Sequence, residues 1–393
     1  MSLLTTGDPA PWFVLPSTSN PNYNFDTVGG YRVILCFLGS SKIKASAAVL
    51  EKFCQLQQQF SQFNTPFFGV FIDPDDVSLA HLVQNPTYCK FIWDFECKVS
   101  QHYGVCGVGG ETRGDRLHYT PTTFVLDENL RVLQTFPIQD PTHHVAQVLH
   151  FIQGLPAPDA PRFAARQAPV LLIPNVFERD FCEHLIHLYE TNGSRDSGFM
   201  RQIDGKTVEV MDYEFKQRRD FLVEEPSLLE RVNNLILRRV KPEIEKAFQF
   251  SVTRFERYLV SCYESTNRGF FNRHRDNTTK GTAHRRFAMS LNLNTGSYEG
   301  GCLRFPEYGS QLYQPGIGEA IIFSCSLLHE ATPVVSGRRF VLLSFFYNDE
   351  DAKLREQNRK YIVLDPKDAA PPEKSARSNK PTAGFQPKNR KKR

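Results

Sequence analysis

The sequence predicts two folded modules of different class, an α/β module followed by an α+β module. The stretch "GLPAPDAPRFAARQAP" divides the 393-residue chain, since it is rich in proline and alanine and has neither helical nor strand periodicity. Before it, buried strands alternate with helices; after it, helices come first and short strands follow. We therefore predict a first module over residues 1–155, a linker over 156–168 and a second module over 169–365.

The elements of the first module follow from hydrophobic periodicity. Short apolar runs predict strands buried on both faces, and apolar residues at helical spacing predict the covering helices. In chain order these are strand "YRVILCFLG", helix "SAAVLEKFCQLQQQFSQF", strand "PFFGVFID", helix "DDVSLAHLVQ", a hairpin "TTFVLDENLRVLQTF" and helix "DPTHHVAQVLHFIQGL". Together they predict a mixed sheet covered by helices.

The second module begins with helices and continues with strands. An amphipathic helix starts near Glu178, and "SLLERVNNLILRRVKPEIEKAF" predicts another helix, or two helices broken at Pro242. From Arg254 onward, short strands such as "RFAMSLNLN", "EAIIFSC" and "RRFVLLSFFY" are separated by turn residues. This pattern is typical of an antiparallel sandwich or barrel.

The charge of the protein is unevenly distributed. The net charge is +4, yet from Pro366 onward nine Lys and Arg residues face only two acidic residues, which leaves the body at −3. Residues 366–393 are poor in large apolar side chains, so we expect a disordered basic tail. Two interpretations of this tail stay open: a contact with nucleic acid or another acidic partner, and a solvated terminus with no specific role.

The cysteine spacing and the hydropathy of the sequence indicate where in the cell the protein is expected. Nine cysteines without a CxxC pair argue against a disulfide framework and a zinc ribbon. No apolar stretch approaches the ~20 residues of a membrane helix. We expect a cytoplasmic protein with no membrane partner.

The first module resembles the redoxins of the thioredoxin fold, and peroxiredoxins above all, over about residues 6–155. The matching stretches include "GDPAPWFVLP", "FFGVFIDPDD" and "YTPTTFVLDENLRV". The resemblance implies a reactive cysteine just after the first buried strand, but "GSSKIKASAAV" offers only serines such as Ser46. Cys36 and Cys54 are interpreted as core residues. We expect binding or scaffolding from this module, not peroxidase chemistry.

In the second module, "NRHRDN" places His274 and Asp276 two residues apart, so both point to the same face of an extended strand. Taken alone, such a pair is also typical of an exposed polar strand end. A third ligand is available at His329. If the chain turns about Val334, His329 pairs with Arg339 and faces the same side of the sheet.

Two histidines and one carboxylate leave coordination positions open, as in non-heme Fe(II) oxygenases. An oxo-acid such as 2-oxoglutarate would occupy two of these positions and leave one for O₂. Its distal carboxylate needs a permanently charged bidentate donor, a role that suits the guanidinium of Arg339. The joint pattern is much more specific than the HxD pair alone.

The second module resembles the 2-oxoglutarate/Fe(II) dioxygenases of the prolyl 4-hydroxylase type over roughly residues 168–350. The resemblance implies a double-stranded β-helix, or jelly-roll, with a site whose residues are His274, Asp276 and His329 as iron ligands, Arg339 for 2-oxoglutarate, and Tyr263 and, more weakly, Asn292 in the cosubstrate pocket. It further implies ascorbate as a reductant. The expected reaction hydroxylates a C–H bond of an unknown substrate, such as a protein prolyl or other side chain, with release of succinate and CO₂.

Other interpretations stay open. An oxidative nucleic-acid demethylase uses the same ligands, and a redoxin-based binding or antioxidant protein needs none of them. His284 is expected on a surface loop, and Arg285 and Arg286 either steer an acidic substrate or are solvated. The polar segment 193–220 is expected to form the rim of the site, while the substrate and the oligomeric state are left undetermined.

Overall fold

A computed structural model describes residues 2–108 and 117–363 of the protein. The predicted disorder of residues 366–393 lies outside this range. Within it, no helix combines the length and the apolar character needed to cross a membrane.

The first module is built on a five-stranded mixed sheet. The strands of the whole module, which include two short pairs outside this sheet, are β1 (Val14–Leu15), β2 (Tyr23–Asn24), β3 (Val33–Gly39), β4 (Phe67–Phe71), β5 (Cys89–Trp93), β6 (Cys106–Val108), β7 (Leu117–Tyr119), β8 (Thr122–Leu126) and β9 (Val132–Pro137). The helices of the module are α1 (Lys44–Gln55), α2 (Gln57–Gln62), α3 (Lys98–His102) and α4 (His144–Gln153). The central sheet has the order β5-β4-β3-β8-β9. β3 to β5 are parallel and β8 and β9 antiparallel, so the predicted mixed sheet is confirmed.

Every residue of β3 and β4 is buried, because helices or loops cover both faces of the sheet. One face packs against α1, α2 and α4 and the other against the N-terminal loops and α3. One predicted α-helix is instead a 3₁₀ helix, Pro74–Leu82. Its first turn is held by the Asp73 side chain, which accepts a hydrogen bond from the Asp75 amide, and such local bonds compete with α-helical ones.

The second module combines helices with two large antiparallel sheets and a separate hairpin over residues 199–210. The helices are α5 (Arg179–Asn192), α6 (Pro226–Arg239), α7 (Lys241–Phe248) and α8 (Asp349–Asn358); the strands are β10 (Leu171–Ile173), β11 (Arg195–Asp196), β12 (Phe199–Ile203), β13 (Lys206–Val210), β14 (Lys216–Gln217), β15 (Arg219–Leu222), β16 (Arg254–Phe255), β17 (Leu259–Glu264), β18 (Phe270–His274), β19 (Phe287–Asn292), β20 (Tyr298–Gly300), β21 (Leu303–Arg304), β22 (Leu312–Tyr313), β23 (Ala320–Ser324), β24 (His329–Ala331) and β25 (Val334–Tyr347). The helix predicted before Arg254 is broken near Pro242, where α6 ends and α7 begins.

The larger sheet has the order β10-β23-β19-β25-β17-β15-β11, and the smaller one β14-β18-β24-β21-β22. Side chains alternate along β25, as the period of a strand requires. Phe340 and Leu342 pack toward α5, α6 and α7, whereas Arg339 and Leu343 line a cavity between the two sheets. The helices thus bury one face of the larger sheet and leave its other face for the site.

Residues 156–167 form neither helix nor strand and are exposed throughout. The modules nevertheless contact one another through buried ion pairs. Asp8 of the first module accepts hydrogen bonds from Arg238 and Arg239 of α6. Arg131, between β8 and β9, donates to a carboxylate oxygen of Glu243 in α7 at 3.0 Å.

Candidate metal centre

Two neighbouring strands of the smaller sheet bring two histidines together. His274 ends β18 and His329 begins β24, and the two residues are direct partners in this antiparallel pair. Their ring centroids are 4.2 Å apart. Directly paired residues face the same side of a sheet, so both imidazoles enter the cavity.

Asp276 joins the histidines from just beyond the end of β18. Its backbone amide donates to the Cys325 carbonyl, which fixes the turn. One carboxylate oxygen lies 3.5 Å from His274 Nε2 and the other 3.4 Å from His329 Nε2. The three potential ligand atoms all lie within 4.8 Å of one another, close enough to share one ion.

Hydrogen bonds to backbone carbonyls orient both imidazoles. His274 Nδ1 donates to the Asn272 carbonyl at 2.7 Å, and His329 Nδ1 donates to the Leu327 carbonyl at 3.0 Å. A carbonyl oxygen only accepts, so the proton of each neutral ring is on Nδ1. The Nε2 lone pairs are therefore free and face the carboxylate, the arrangement that metal-binding histidines require.

The protonation states also suit a cation. Burial, followed by the nearby His274, lowers the pKa of His329 to about 4, so this imidazole is neutral near pH 7. Burial works to raise the pKa of Asp276, but in their protonated forms the imidazoles of His329 and His274 outweigh burial and hold this pKa below its usual value. A neutral imidazole and an ionised carboxylate are the forms that ligate metals.

Arg339 lies on the larger sheet, across the cavity from these three residues. It is 2% exposed, and its Nη2 donates to Ser290 Oγ and Asn292 Oδ1, both at 3.3 Å. Its Nε is buried without a hydrogen-bond partner in the described part of the protein. Buried donors are nearly always paired, so this unpartnered N–H indicates a ligand with an acceptor oxygen.

The predicted pairing of His329 with Arg339 is wrong. β24 and β25 form no hairpin: His329 pairs with His274, and Arg339 pairs with Tyr263 of β17. Pro333 has no N–H to donate, and the Val334 amide donates to Gly269, so the connection crosses from one sheet to the other. Both side chains still line one cavity because the two sheets face each other.

The two remaining predicted pocket residues have different positions. Tyr263 lines the cavity, with its ring centre 5.3 Å from the Arg339 guanidinium carbon. Asn292 lies behind Arg339. Its Oδ1 accepts from Arg339, and its Nδ2 donates to Thr295, Tyr298 and the Pro315 carbonyl. In this structure Asn292 orients the arginine and does not form the cavity wall.

The surface position expected for His284 is wrong. His284 is 2% exposed, and its Nε2 lies 2.7 Å from Glu256 Oε1. Arg285 is also buried and donates to both carboxylate oxygens of Glu256, at 2.8 and 3.0 Å. Arg286 instead pairs with Asp351 at the start of α8. His284 therefore faces a carboxylate and is not one of the three clustered ligands.

The cavity between the sheets has a volume of about 640 Å³. Part of its wall comes from segment 193–220, as predicted for a rim: Phe199, Met200 and the buried Lys216 all contribute. Sequence reasoning missed Lys216. The signal available was the alternation of "FKQRRD", which places Lys216, Arg218 and Asp220 on one face of an extended chain.

The hairpin β12–β13 is held from outside by the last described residues of the protein. The Val363 amide donates to the Thr207 carbonyl at 3.0 Å, and Ile362 forms a parallel bridge with Thr207. Lys206 Nζ donates to the Lys360 carbonyl at 3.2 Å. The segment Lys360–Val363, which we call the C-terminal clasp, thus fixes one wall of the cavity.

The first module has no comparable site in its described residues. Ser46 is buried and donates to the Leu38 carbonyl at 2.7 Å. Cys36 is fully buried, and burial raises the pKa of its thiol to about 12. Cys54 lies on α1, and burial raises the pKa of its thiol to about 11. In residues 2–108 and 117–363, the only three-residue cluster of potential metal ligands is that of the second module.

Comparisons with known proteins agree with this division. Residues 258–347 match the model of the 2OG-Fe(II) oxygenase superfamily, and residues 6–135 match that of the AhpC/TSA family. No curated protein matches this sequence significantly.

Among the solved structures that match, three each cover less than half of this protein. A peroxidoxin, BcpB from Mycobacterium tuberculosis, is 19% identical and covers 39% of this protein and 99% of its own length, with a TM-score of 0.34. A prolyl hydroxylase from Trichoplax adhaerens, solved with a hypoxia inducible factor peptide, is 17% identical and covers 48% of this protein and 86% of its own length, with a TM-score of 0.36. The viral collagen prolyl hydroxylase of Paramecium Bursaria Chlorella virus-1 is 16% identical and covers 45% of this protein and 94% of its own length, with a TM-score of 0.34.

Proposed function

We propose that this protein, which joins a peroxiredoxin-like domain of thioredoxin fold to a jelly-roll 2OG-Fe(II) oxygenase domain, is an active dioxygenase. As an oxidoreductase of this kind it hydroxylates a C–H bond on the side chain of a protein residue, proline included, and releases succinate and CO₂. One observation carries the proposal: three oriented ligand atoms and a buried arginine with an unpartnered N–H lie in one cavity of the described residues.

The residues present fit the expected cofactors. Two imidazoles and one carboxylate form the donor set of non-heme Fe(II) oxygenases, so His274, Asp276 and His329 would hold the iron. Arg339 would hold the distal carboxylate of 2-oxoglutarate, because its charge is permanent and its Nε lacks a partner within the described residues. When bound, iron and 2-oxoglutarate supply the oxidising chemistry that uses O₂. Ascorbate is proposed as the reductant that keeps the iron ferrous.

The protein's own residues would bind, orient and exclude water. Ser290 and Asn292 hold Arg339 in place before any ligand arrives, which reduces the ordering cost of binding. Apolar side chains, among them Phe271, Leu303 and Phe323, line the cavity near the histidines. Such a wall suits an aliphatic target and limits access of water to the reacting carbon.

Succinate release from 2-oxoglutarate tests this function. We expect it to require Fe(II) and O₂ together and to fall to background in the His329→Ala variant. His143→Ala is the matched control, since His143 is an exposed histidine of the first module. Release that continues in His329→Ala, or that needs no Fe(II), would show that this proposal is wrong.

A further inference from the structure

The charges that line the cavity do not cancel once the expected cofactors are bound. Iron carries two positive charges and 2-oxoglutarate two negative ones, while Asp276 and Arg339 contribute one of each sign. The cofactor set and its charged protein groups are therefore neutral together. Any excess charge in the cavity comes from its other residues and is left for the substrate.

Most of these other charges are already paired. Arg218 forms a bidentate pair with Asp220, both bonds at 2.7 Å. Arg285 is neutralised by Glu256, and Arg275 by Glu307 at 2.7 Å. The carboxylate of Asp196 is paired with Arg219. None of these groups offers a free charge to a substrate.

Two arginines of the cavity wall have no such partner. Within the described residues, the Arg195 and Arg257 side chains make no hydrogen bond and no ion pair, yet both line the cavity. Both are exposed, so they lie where the cavity opens to solvent. The carboxylate nearest to Arg257 in sequence, Glu256, is turned inward and is shared by His284 and Arg285.

Two further charged residues line the cavity. Glu209 is exposed, and its Oε1 accepts a hydrogen bond from the Gly198 amide. Lys216 is buried and donates to Ser197 Oγ at 2.7 Å and to the Gly198 carbonyl. Even if Lys216 is left out of the balance, the two free arginines exceed Glu209, so the mouth of the cavity is cationic.

The interior differs from this mouth. Phe199, Phe215 and Phe271 form an aromatic cluster with ring centroids 4.5 to 6.4 Å apart, and all three line the cavity. A cationic mouth above an apolar interior fits a substrate with an aliphatic target and a neighbouring anionic group.

Building on the proposed oxygenase function, we propose that the substrate is an acidic protein segment, in which Asp or Glu side chains flank the aliphatic residue that is hydroxylated. Arg257 and Arg195 bind these carboxylates and thereby set the specificity. A protein segment is favoured over a nucleic acid because the apolar interior of the cavity suits an aliphatic side chain. Two free arginines are also few compared with the ~6–10 phosphate contacts of typical nucleic-acid binding.

The test uses two labelled peptides and the full-length protein, with Mn(II) in place of Fe(II) and with 2-oxoglutarate, so that binding is measured without turnover. One peptide has a central proline flanked on each side by alanine and two glutamates; the other has glutamines in place of the glutamates. Fluorescence anisotropy should show about 10-fold tighter binding of the glutamate peptide at low salt, and the advantage should shrink as salt rises.

Arg257→Gln should remove most of this preference, and adding Arg195→Gln should remove the rest. Arg254→Gln is the control, because Arg254 is three residues away, exposed and paired with Asp349 outside the cavity. Equal binding of the two peptides, or an unchanged preference in Arg257→Gln, would overturn the inference.

Two parallel measurements separate the possible failures. Succinate release by the wild type with Fe(II) reports on the proposed function: if it is present but the peptides bind equally, only the acidic substrate is wrong. If it is absent, the proposed function fails whatever the peptides show. A single-stranded 12-nucleotide probe that binds more tightly than the glutamate peptide, and loses affinity in Arg257→Gln, would assign the arginines to nucleic acid and overturn the protein substrate.

Discussion

Both modules place polar residues at the ends of strands, but the polar groups compared here have hydrogen-bond partners in the first module and lack them in the second. After β3, Ser40 and Ser41 donate to Asp73 and Asp76, and Ser46 donates to the Leu38 carbonyl. In the oxygenase domain, by contrast, the His274 and His329 Nε2 atoms face a carboxylate, and Arg339 Nε has no partner among the described residues.

This difference separates a structural polar cluster from a binding site. A cluster whose donors and acceptors are all paired gains little from a ligand, because binding would first break existing hydrogen bonds. A site with free lone pairs and an unpartnered buried donor is stabilised when a ligand arrives. The peroxiredoxin-like domain has the first kind of arrangement after β3, and the oxygenase domain has the second kind.

The largest effect that would sharpen this contrast is expected at Arg339. Arg339→Ala removes the buried guanidinium, and the loss of a buried charge-assisted contact should raise the KM for 2-oxoglutarate about 10³-fold. Arg338→Ala is the matched control, since Arg338 is half-exposed and pairs with Glu190. The two variants should be compared in succinate release over a range of 2-oxoglutarate concentrations. Similar KM values in the two variants would show that the unpartnered guanidinium of Arg339 does not bind 2-oxoglutarate.

The next effect concerns the contact between the modules. Asp8→Ala leaves Arg239, which is 2% exposed, without one of its carboxylate partners and should lower the free energy of unfolding by about 3 kcal/mol. Asp26→Ala removes an exposed carboxylate of the same module and should change the free energy of unfolding little. Urea unfolding measures both. Equal stabilities would mean that the modules are held together by other contacts.

A smaller effect is expected at the C-terminal clasp. Val363→Pro removes the amide that donates to the Thr207 carbonyl, at a cost of about 1 kcal/mol. Hydrogen exchange of the β12–β13 amides should then accelerate about fivefold, since the hairpin opens more often. Val363→Ala keeps the amide and is the control. Equal exchange in the two variants would show that the clasp does not hold this wall.

The smallest effect is expected when the peroxiredoxin-like domain is challenged with peroxide. A thiolate is the reactive form, and burial raises the pKa of Cys36 to about 12. Peroxide consumption by the full-length protein should therefore match that of Cys36→Ser and of Cys54→Ser. Rapid consumption that either substitution abolishes would give this domain the chemistry that we assign only to its neighbour.

Local patterns in the sequence predicted much of the site. The sequence predicted that His274 and Asp276 lie close together, although Asp276 is in a turn just beyond β18 and not on the strand itself. The alternation in "GRRFV" likewise separates Arg339, which is buried, from Arg338, which pairs at the surface. Element types were predictable for the same reason, because apolar runs and helical spacing are local.

Features that depend on distant partners were not predictable. The partner strand of His329 is set by Pro333 and by hydrogen bonds of the connection to Gly269 and Gly301, which no local period reveals. His284 is in a polar stretch that predicts exposure, yet Glu256, 28 residues away, holds it in the interior. One ion pair between distant residues is enough to reverse the expected burial.

The long strand β25 has a consequence for biosynthesis. It pairs with β16, β17, β19 and β20, so each of these four earlier strands has at least one unpaired edge until residues 334–347 have been made. The peroxiredoxin-like domain is complete long before that and can fold while the ribosome is still at work. The nascent oxygenase domain meanwhile exposes unpaired strand edges, which attract other polypeptides. Its folded neighbour, already bearing Asp8 and Arg131, offers α6 and α7 a docking surface during this interval.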